Sequence, residues 1–195
     1  MKHTKLILGL LAAGMIFGLN AQNLVENSSF ENGVDQWAPP SWKRPDGKIW
    51  LTPASDKANS QGAGGAASLR LDWTNKHICH IWYKKEIPLN GLKEVELSFW
   101  GKNVGYDKTN IIEITVNFPD AKDPKKRNIS AGNKWNRPPK EWTNFSRLIQ
   151  VPEGATKAKL CIRIHGFTST KGTSWVDNVY FGAPQKKGNG QQAKK

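Results

Sequence analysis

The stretch IIEITVNF at residues 111–118 decides the fold class of this chain, because apolar and polar side chains alternate along it. Successive side chains of an extended strand point to opposite faces, so one face of this stretch would enter a core. The core-facing set is Ile112, Ile114, Val116 and Phe118, and the opposite set is Glu113, Thr115 and Asn117. The stretch AKLCIRIH at residues 158–165 has the same period of two, with Arg163 and His165 on its outer face.

Five more runs of this kind are bounded by glycine, proline, asparagine or aspartate. They cover residues 67–73, 78–87, 95–102, 145–151 and 174–181. No window of useful length places apolar residues at the helical spacing. The sequence therefore predicts an all-β domain in which two sheets pack face to face as a β-sandwich.

The chain begins with MKHTKLILGLLAAGMIFGLNAQN, which has the basic lead, apolar run and small-residue exit of a secretory signal peptide. The run is shorter than the roughly 20 residues that span a bilayer, so we expect no membrane span. We expect residues 1–21 to be removed, residues 22–182 to form the β-sandwich, and residues 183–195 to be a flexible basic tail. This organisation predicts a protein that is secreted or periplasmic.

The formal net charge of +13 brings nucleic acid into question, because lysine and arginine gain by releasing counterions from phosphates. However, Lys2 and Lys5 belong to the leader, the tail holds more lysines, and the remaining positive residues are scattered. The export signal also opposes this partner. We therefore expect no nucleic-acid binding and favour attraction to acidic glycans or a cell wall.

Two long polar segments, residues 38–65 and 119–142, are predicted to be loops. Loops of that length in a compact domain are usually functional or disordered. Both segments contain tryptophan, which argues against disorder. We therefore expect these loops to contribute to function.

Cys79 and Cys161 form an even pair, and an exported chain permits a disulfide between them. The alternation points Cys79 and Ile81 inward, and His80 and Trp82 outward, in one strand. In the other strand it points Cys161 outward. Since a disulfide needs the two side chains to approach each other, the alternation disfavours the bond.

Three segments carry a family pattern, in order along the chain. They read NLVENSSFENGVDQW; then SLRLDW and EIPLNGLKEVELSFWGK; then EWTNFSRLIQVPEGATKAKLCIRI and SWVDNVYF. The matching residues are Asn23, Leu24, Asn27, Phe30, Glu31, Gly33, Trp37, Ser68, Leu69, Gly91, Leu97, Ser98, Phe99, Trp100, Trp142, Val151, Pro152, Ala155, Leu160, Ile162, Asp177, Asn178 and Val179. The pattern resembles that of carbohydrate-binding modules of the cellulose- and xylan-binding kind, families 4, 9 and 22. The resemblance implies a jelly-roll fold and polysaccharide binding without catalysis, and it allows association with glycoside hydrolases.

The resemblance also implies a structural calcium ion between the first and last strands, with Glu31 and Asp177 at the matching positions. Ca²⁺ takes several oxygen ligands, which two carboxylates and backbone carbonyls can supply. Those carbonyls would come from the Asn23 end and from the turn at residues 64–68. The alternative is that Glu31 is a turn residue and Asp177 an ordinary strand-end carboxylate.

The nine tryptophans matter because sugars stack their C–H faces on aromatic rings. Those at family positions that normally pack are Trp37, Trp100, Trp142 and Trp175. Those in loops or near strand ends, which are candidate platforms, are Trp42, Trp50, Trp73, Trp82 and Trp135.

A polar groove is predicted if the strands at residues 78–83, 111–118 and 158–165 share a sheet. Its side chains would be Trp82, Glu113, Asn117, Arg163 and His165, assisted from the loops by Trp42, Trp50 or Trp135. The alternative is a solvated sheet face without a ligand. The two loops are longer and richer in tryptophan than the family pattern, so the resemblance does not assign the glycan.

Catalysis has little support in the sequence. A glycosidase needs two carboxylates across the scissile bond, and the acidic residues here are few and show no such pair. His77 and His80 lack partners at the spacing of a zinc site. We expect a binding protein rather than an enzyme. A surface or matrix protein that binds another protein, or with less support a small glycan hydrolase, stays open, because fold alone does not fix function.

Overall fold

The computed structural model describes residues 21–38, 49–50, 67–73, 78–104, 111–132, 140–165 and 172–185; at 49–50, 71–73, 78–79, 111, 164–165 and 172 the description covers the backbone. The first strands are β1 (Trp37–Ala38), β2 (Ile49–Trp50), β3 (Leu69–Trp73), β4 (Ile78–Tyr83), β5 (Ile87–Pro88) and β6 (Glu94–Val104). The others are β7 (Ile111–Asn117), β8 (Asn128–Gly132), β9 (Thr143–Gln150), β10 (Lys157–His165) and β11 (Gly172–Gly182). A 3-10 turn at Pro124–Lys126 precedes β8.

The strands form two antiparallel sheets. The six-stranded sheet has the order β1, β4, β10, β7, β8, with β5 paired to β10. The five-stranded sheet has the order β2, β3, β11, β6, β9. The chain passes repeatedly from one sheet to the other, for example from β6 to β7 and from β8 through β9 to β10. This topology confirms the predicted β-sandwich of the jelly-roll kind.

The core lies between the two sheets and contains the side chains that the alternation assigned to it. The fully buried residues of the six-stranded sheet and its flanks include Ile112, Ile114, Val116, Phe118, Leu160 and Ile162. Those of the five-stranded sheet include Leu97, Phe99, Val176 and Phe181. The predicted inner face is therefore confirmed for β7 and for Leu160 and Ile162 of β10.

The N-terminal segment is hydrogen-bonded to the last strand. The Leu24 amide donates to the Phe181 carbonyl at 2.8 Å, and the Val179 amide donates to the Ser28 carbonyl at 2.9 Å. The Asn23 side chain donates to the Val179 carbonyl at 2.9 Å and accepts from the Phe181 amide at 3.1 Å. Residues at opposite ends of the domain thus close one side of the sandwich together.

Three predictions about the extent of strands and loops are wrong. The run 78–87 forms two strands rather than one, since β4 ends at Tyr83 and β5, which begins at Ile87, pairs with another part of β10. The segment 119–142 is not a single loop, since it contains the 3-10 turn and β8, and every residue of β8 pairs with β7. The segment 38–65 likewise contains β2.

Several predictions fall outside the described residues. These are residues 1–20 of the signal peptide, Trp42, Trp135 and the tail beyond residue 185. Trp50 and His165 are placed by their backbones alone, in β2 and β10. Across the described ranges, no helix is long and apolar enough to cross a bilayer.

Candidate functional site

The outer face of the six-stranded sheet carries three rows of mostly polar residues. Cross-strand pairing defines the rows, since opposed residues of antiparallel strands point to the same face. The first row is His80, Arg163, Glu113 and Gly132; the second is Trp82, Cys161, Thr115 and Ser130; the third is Lys159, Asn117 and Asn128. The pairing brings together four of the predicted groove residues, Trp82, Glu113, Asn117 and Arg163.

Two other predicted groove residues have backbone positions but no described side chains. His165 pairs with Ile78 and Ile111, one step beyond the first row on β10. Trp50 lies in β2, which belongs to the other sheet and pairs with β3. The structure therefore places the His165 backbone beside the three rows and does not place the Trp50 backbone there.

The first row contains three side chains in contact. Arg163 Nη1 lies 2.9 Å from Glu113 Oε1, and Arg163 Nε donates to His80 Nε2 at 3.3 Å. The Glu113 side chain is only 7% exposed, whereas that of Arg163 is 33% exposed. The contact with Arg163 offsets part of the cost of burying the Glu113 carboxylate. Glu113 therefore positions the guanidinium, which in turn orients the His80 ring.

The pKa of His80 is lowered, first by burial of the ring and second by the positive charge of Arg163. His80 is therefore neutral near pH 7, and its Nε2 can accept the hydrogen bond from Arg163. Protonation would remove this acceptor and add a second positive charge beside the guanidinium. The arrangement of the first row thus depends on a neutral His80.

We expect acid to destabilise the domain through His80. Its pKa is lower in the folded protein than the ordinary value of 6.5, so the unfolded chain takes up the proton first. The stabilisation is present above the unfolded pKa and is lost as the pH falls through the lower folded pKa. Melting curves of the wild type and His80→Gln from about pH 7.5 to about pH 5 measure this effect.

The glutamine variant is the matched control because its amide can accept from Arg163 but does not titrate. The wild type should lose more melting temperature on acidification than the variant. Equal losses would show that other groups account for the acid sensitivity.

Trp82 gives the face an exposed aromatic surface. Its side chain is 40% exposed. Among the described residues, no other aromatic side chain is exposed to this extent. Its backbone pairs with Cys161 on one side and Ala38 on the other. A large apolar group exposed on an otherwise polar face suits contact with a ligand better than packing in a core.

Hydroxyl and amide pairs line the opposite half of the face. Thr115 Oγ1 and Ser130 Oγ lie 2.8 Å apart, and Asn117 Nδ2 donates to Asn128 Oδ1 at 2.8 Å. Each group retains capacity for further hydrogen bonds. Ser130 and Asn128 belong to β8, which the sequence interpretation placed in a loop. The period of two in NISAG was the signal that could have identified them.

Gly132 ends the first row without a side chain. Its φ is +150°, and an added Cβ would lie 2.6 Å from Glu113 Cα and 2.3 Å from the Ile112 carbonyl oxygen. Glycine therefore lets the β8 backbone approach β7 closely. The first row therefore has no side chain at the position next to Glu113 on β8.

Both cations of the three rows have carboxylate partners. Arg163 pairs with Glu113, and Lys159 Nζ lies 3.3 Å from Glu86 Oε1. Lys157 Nζ is also 2.7 Å from Glu86 Oε2. The hydrogen bond from Lys157, and then that from Lys159, lowers the pKa of Glu86. The described cations of the three rows are therefore paired with carboxylates.

The described positions of the three rows can be compared with the carboxylate pair of a glycosidase. Among the described positions of the three rows, Glu113 is the one residue with a carboxylate, and that carboxylate contacts Arg163. A glycosidase needs a second carboxylate about 5–9 Å away across the scissile bond. The described row positions do not supply one.

Glu31 and Asp177 lie where the N-terminal segment meets the five-stranded sheet. Glu31 Oε1 accepts from the Ala67 amide at 3.0 Å, two residues before β3. Asp177 is 6% exposed, lies at a bulge in β11, and accepts from the Asn178 amide at 2.7 Å. The described residues contain no group of three or more His, Cys, Asp or Glu gathered for a metal. Two carboxylates beside irregular backbone fit the oxygen ligands of Ca²⁺ if carbonyls supply the rest.

The other predicted residues occupy mixed environments. Trp37 is fully buried in the core, as predicted, and Trp175 is 7% exposed but lies beneath Arg70 and Lys102 outside the core cluster, while Trp100 and Trp142 are partly buried. Cys161 is a buried thiol opposite Trp82 in the register. The Cys79 backbone pairs with Ile164, three positions along β10 from Cys161.

No protein-family model matches this chain, and no curated protein matches it. Solved structures match its fold. TmCBM61 in complex with β-1,4-galactotriose has a TM-score of 0.57 at 16% identity, over 84% of this chain and 99% of that one. A family 16 carbohydrate-binding module has a TM-score of 0.55 at 19% identity, over 82% and 99% of the two chains.

Two longer proteins also contain a matching region. The CBM22-1–GH10 modules of a Clostridium thermocellum xylanase, complexed with xylohexaose, have a TM-score of 0.53 at 18% identity over 86% of this chain. The enzymatically active domain of bacteriophage CBA120 tailspike protein 4 has a TM-score of 0.60 at 16% identity over 82% of this chain. This chain spans 29% and 21% of those two proteins. The likeness shows a β-sandwich of the kind found in carbohydrate-binding modules.

Proposed function

We propose that this chain is an exported, non-catalytic carbohydrate-binding module that binds a polysaccharide across the three rows of the six-stranded sheet. The observation that carries the proposal is the exposed Trp82 ring in the row next to Arg163, whose guanidinium contacts Glu113 and His80. Sugar sites combine an aromatic surface with polar groups that are positioned before the ligand arrives. The likeness in fold to sugar-bound modules supports this assignment.

Each group has a separate role in the proposed site. Trp82 stacks against the C–H face of a sugar ring, and Arg163 and Asn117 donate hydrogen bonds to its hydroxyls. Glu113 keeps Arg163 in position, and His165 extends the site along β10. Trp42 and Trp135 would add further platforms from the loops.

The paired charges favour a neutral or weakly acidic β-linked polysaccharide. A strongly acidic chain would need unpaired cations, but Arg163 and Lys159 both contact carboxylates. Two similar structures hold β-1,4-galactotriose and xylohexaose, so β-linked glycans are the first ligands to test. A glycoside hydrolase acting on the same polymer is the partner that such a module would assist.

A glycan array with the purified chain from residue 22 onward tests the proposed function. We expect retention on one or more β-linked polysaccharides without release of soluble sugar. Retention on no glycan would contradict the proposal. Release of oligosaccharides from the retained polymer would identify a hydrolase instead.

We also propose that a calcium ion held by Glu31 and Asp177 stabilises the fold. A ligand that binds only the folded state adds to its stability. Chelation should therefore lower the melting temperature by several degrees, which corresponds to about 1 kcal/mol or more in a domain of this size. Restoring calcium should reverse the change.

The variant Asp177→Asn separates a metal effect from a general effect of the chelator. It should melt near the temperature of the chelated wild type and should not respond to added calcium. An unchanged wild-type melting curve, with no metal found by elemental analysis, would rule out the site.

A further inference from the structure

The two sheets end in edge strands that meet on one side of the sandwich. β8 is the last strand of the six-stranded sheet, and β9 is the last strand of the five-stranded sheet. A groove of about 420 Å³ lies at this edge, which is within the size range of small-ligand sites. We call it the edge groove. Its lining includes Lys126, Ile129, Arg147, Leu148, Val151 and Pro152.

The edge groove is separate from the face that carries Trp82. Trp82 lies on β4, and β8 is three strands away from β4 in the six-stranded sheet. Since neighbouring strands are about 4.8 Å apart, about 14 Å separates the two strands. A ligand in the edge groove would therefore leave Trp82 uncovered.

Arg147 reaches across the edge groove from one sheet to the other. It pairs in register with Leu97, which is fully buried, so Arg147 leaves β9 on the side that faces the other sheet. Its Nη1 donates to the Ser130 carbonyl of β8 at 2.6 Å. A guanidinium has further N–H donors, which can form a bidentate contact with a carboxylate. Because one contact already restrains the group, it loses less side-chain entropy when an anion binds.

The carboxylates closest to the edge groove in the fold have partners of their own. The pairs are Glu153 with the Lys122 ammonium, Glu94 with Gln150 Nε2, and Asp123 with the Lys125 amide. Among the described residues, no carboxylate lies within ion-pair distance of Lys126 or Arg147. The edge groove therefore has two cations that can pair with an incoming anion.

Apolar surface lies beside the two cations. Ile129 and Val151 are half-buried, and Leu148 is 58% exposed. The C–H groups of a sugar can contact such side chains while a carboxylate on the same ring pairs with Arg147. A peptide strand added to the edge of β8 fits less well, because it would need the Ser130 carbonyl that Arg147 already contacts.

We propose that the edge groove is a second binding site, and that it takes a carboxylate-bearing sugar unit. Arg147 holds the carboxylate by a bidentate contact, Lys126 adds a second positive charge, and the apolar side chains contact the ring. The choice of a sugar over another carboxylate rests on the proposed function. Among polysaccharides, the groove would select those that carry uronic acid units.

Titration with galacturonate at about pH 7, followed by NMR of the backbone amides, tests this proposal. The amides of β8 and β9 should shift. Arg147→Gln should weaken binding by at least about tenfold, because a charge-assisted bidentate contact is lost. Lys126→Gln should weaken it about threefold. The matched control is Lys125→Gln, which removes the same charge from the neighbouring position of the 3-10 turn and should bind as the wild type does.

Two further measurements separate binding from folding and identify the source of the sugar. Melting curves verify that each variant is folded, and Arg147→Lys, which keeps the charge but lacks the planar fork, should also weaken binding several-fold. Trigalacturonate that binds at least as tightly as galacturonate would support the proposal with a polymer unit as the ligand. Binding of galacturonate alone would support it with a free sugar acid as the ligand.

Unchanged binding by Arg147→Gln would overturn the proposal, as would equal weakening by Lys125→Gln and Lys126→Gln, because the attraction would then follow net charge. Equal affinity for galactose would show that the carboxylate has no role. Equal affinity for inorganic phosphate or an oligoglutamate peptide would show that the groove does not recognise a sugar.

Trp82→Ala distinguishes the edge groove from the proposed polysaccharide site, since this variant should bind galacturonate as the wild type does. If the protein bound no neutral glycan but Arg147→Gln still weakened galacturonate binding, the proposed function would fail and the edge groove would stand. If neutral glycans bound and galacturonate did not, the edge-groove proposal alone would fail.

Discussion

Replacement of Trp37 by alanine should lower the free energy of unfolding by about 3–5 kcal/mol. Trp37 is fully buried, and its ring centroid lies 5.7 Å from that of Phe30 and 5.2 Å from that of Tyr83. The ring joins the N-terminal segment to β4, so alanine would leave a cavity where the two meet. Domains are stable by only about 5–15 kcal/mol, so a loss of this size leaves the fold marginal.

Denaturant unfolding followed by circular dichroism measures this loss. Trp82→Ala is the matched control, because it makes the same chemical change on the outer face and should cost less than about 1 kcal/mol. A Trp37→Ala protein that melts within about two degrees of the wild type would contradict the core described above.

The second large effect is on binding. Trp82→Ala should weaken binding of a neutral β-linked polysaccharide by about 2 kcal/mol, or about 30-fold, as expected for an aromatic residue at the centre of an interface. The 40% exposed ring offers apolar surface for stacking, and alanine removes nearly all of it. Calorimetric titration on wild type and variant gives the ratio directly.

Two further variants make this result specific. Trp82→Phe retains an aromatic surface and should keep most of the affinity. Leu148→Ala removes another exposed apolar side chain, 58% exposed on β9 of the other sheet, and should bind as the wild type does. If Trp82→Ala and Leu148→Ala bound equally well, Trp82 would have no part in the site.

Both faces of β7 and β10 were predictable from sequence, because burial of one face imposes a period of two. The pattern also placed Trp82, Glu113, Asn117 and Arg163 outward. It could not show that Glu113 and Arg163 bind each other, since that contact depends on pairing between strands about 50 residues apart in the chain. Two residues predicted as ligand contacts therefore also contact each other, as a buried carboxylate and the guanidinium that it positions.

Sequence interpretation described β8 and Trp175 less well, for two different physical reasons. β8 is an edge strand with only Ile129 and Ala131 as apolar positions, so its pattern is weak among the polar residues around it. Trp175 was expected to pack, and it does, but beneath Arg70 and Lys102 on an outer face. Long cationic side chains can bury an aromatic ring as a core does. The pattern along one strand does not show which residues lie opposite on the next.

The most direct measurement is calorimetric titration of the wild-type protein with the neutral β-linked polysaccharide selected by the array, at about 0.05 M and about 0.5 M salt. We predict nearly equal affinity at both, because stacking on Trp82 is insensitive to salt and the cations of the three rows are already paired. Exposed charges interact only weakly at the higher salt concentration. Binding that disappears at about 0.5 M salt would show that the basic surface, and not the face carrying Trp82, holds the glycan.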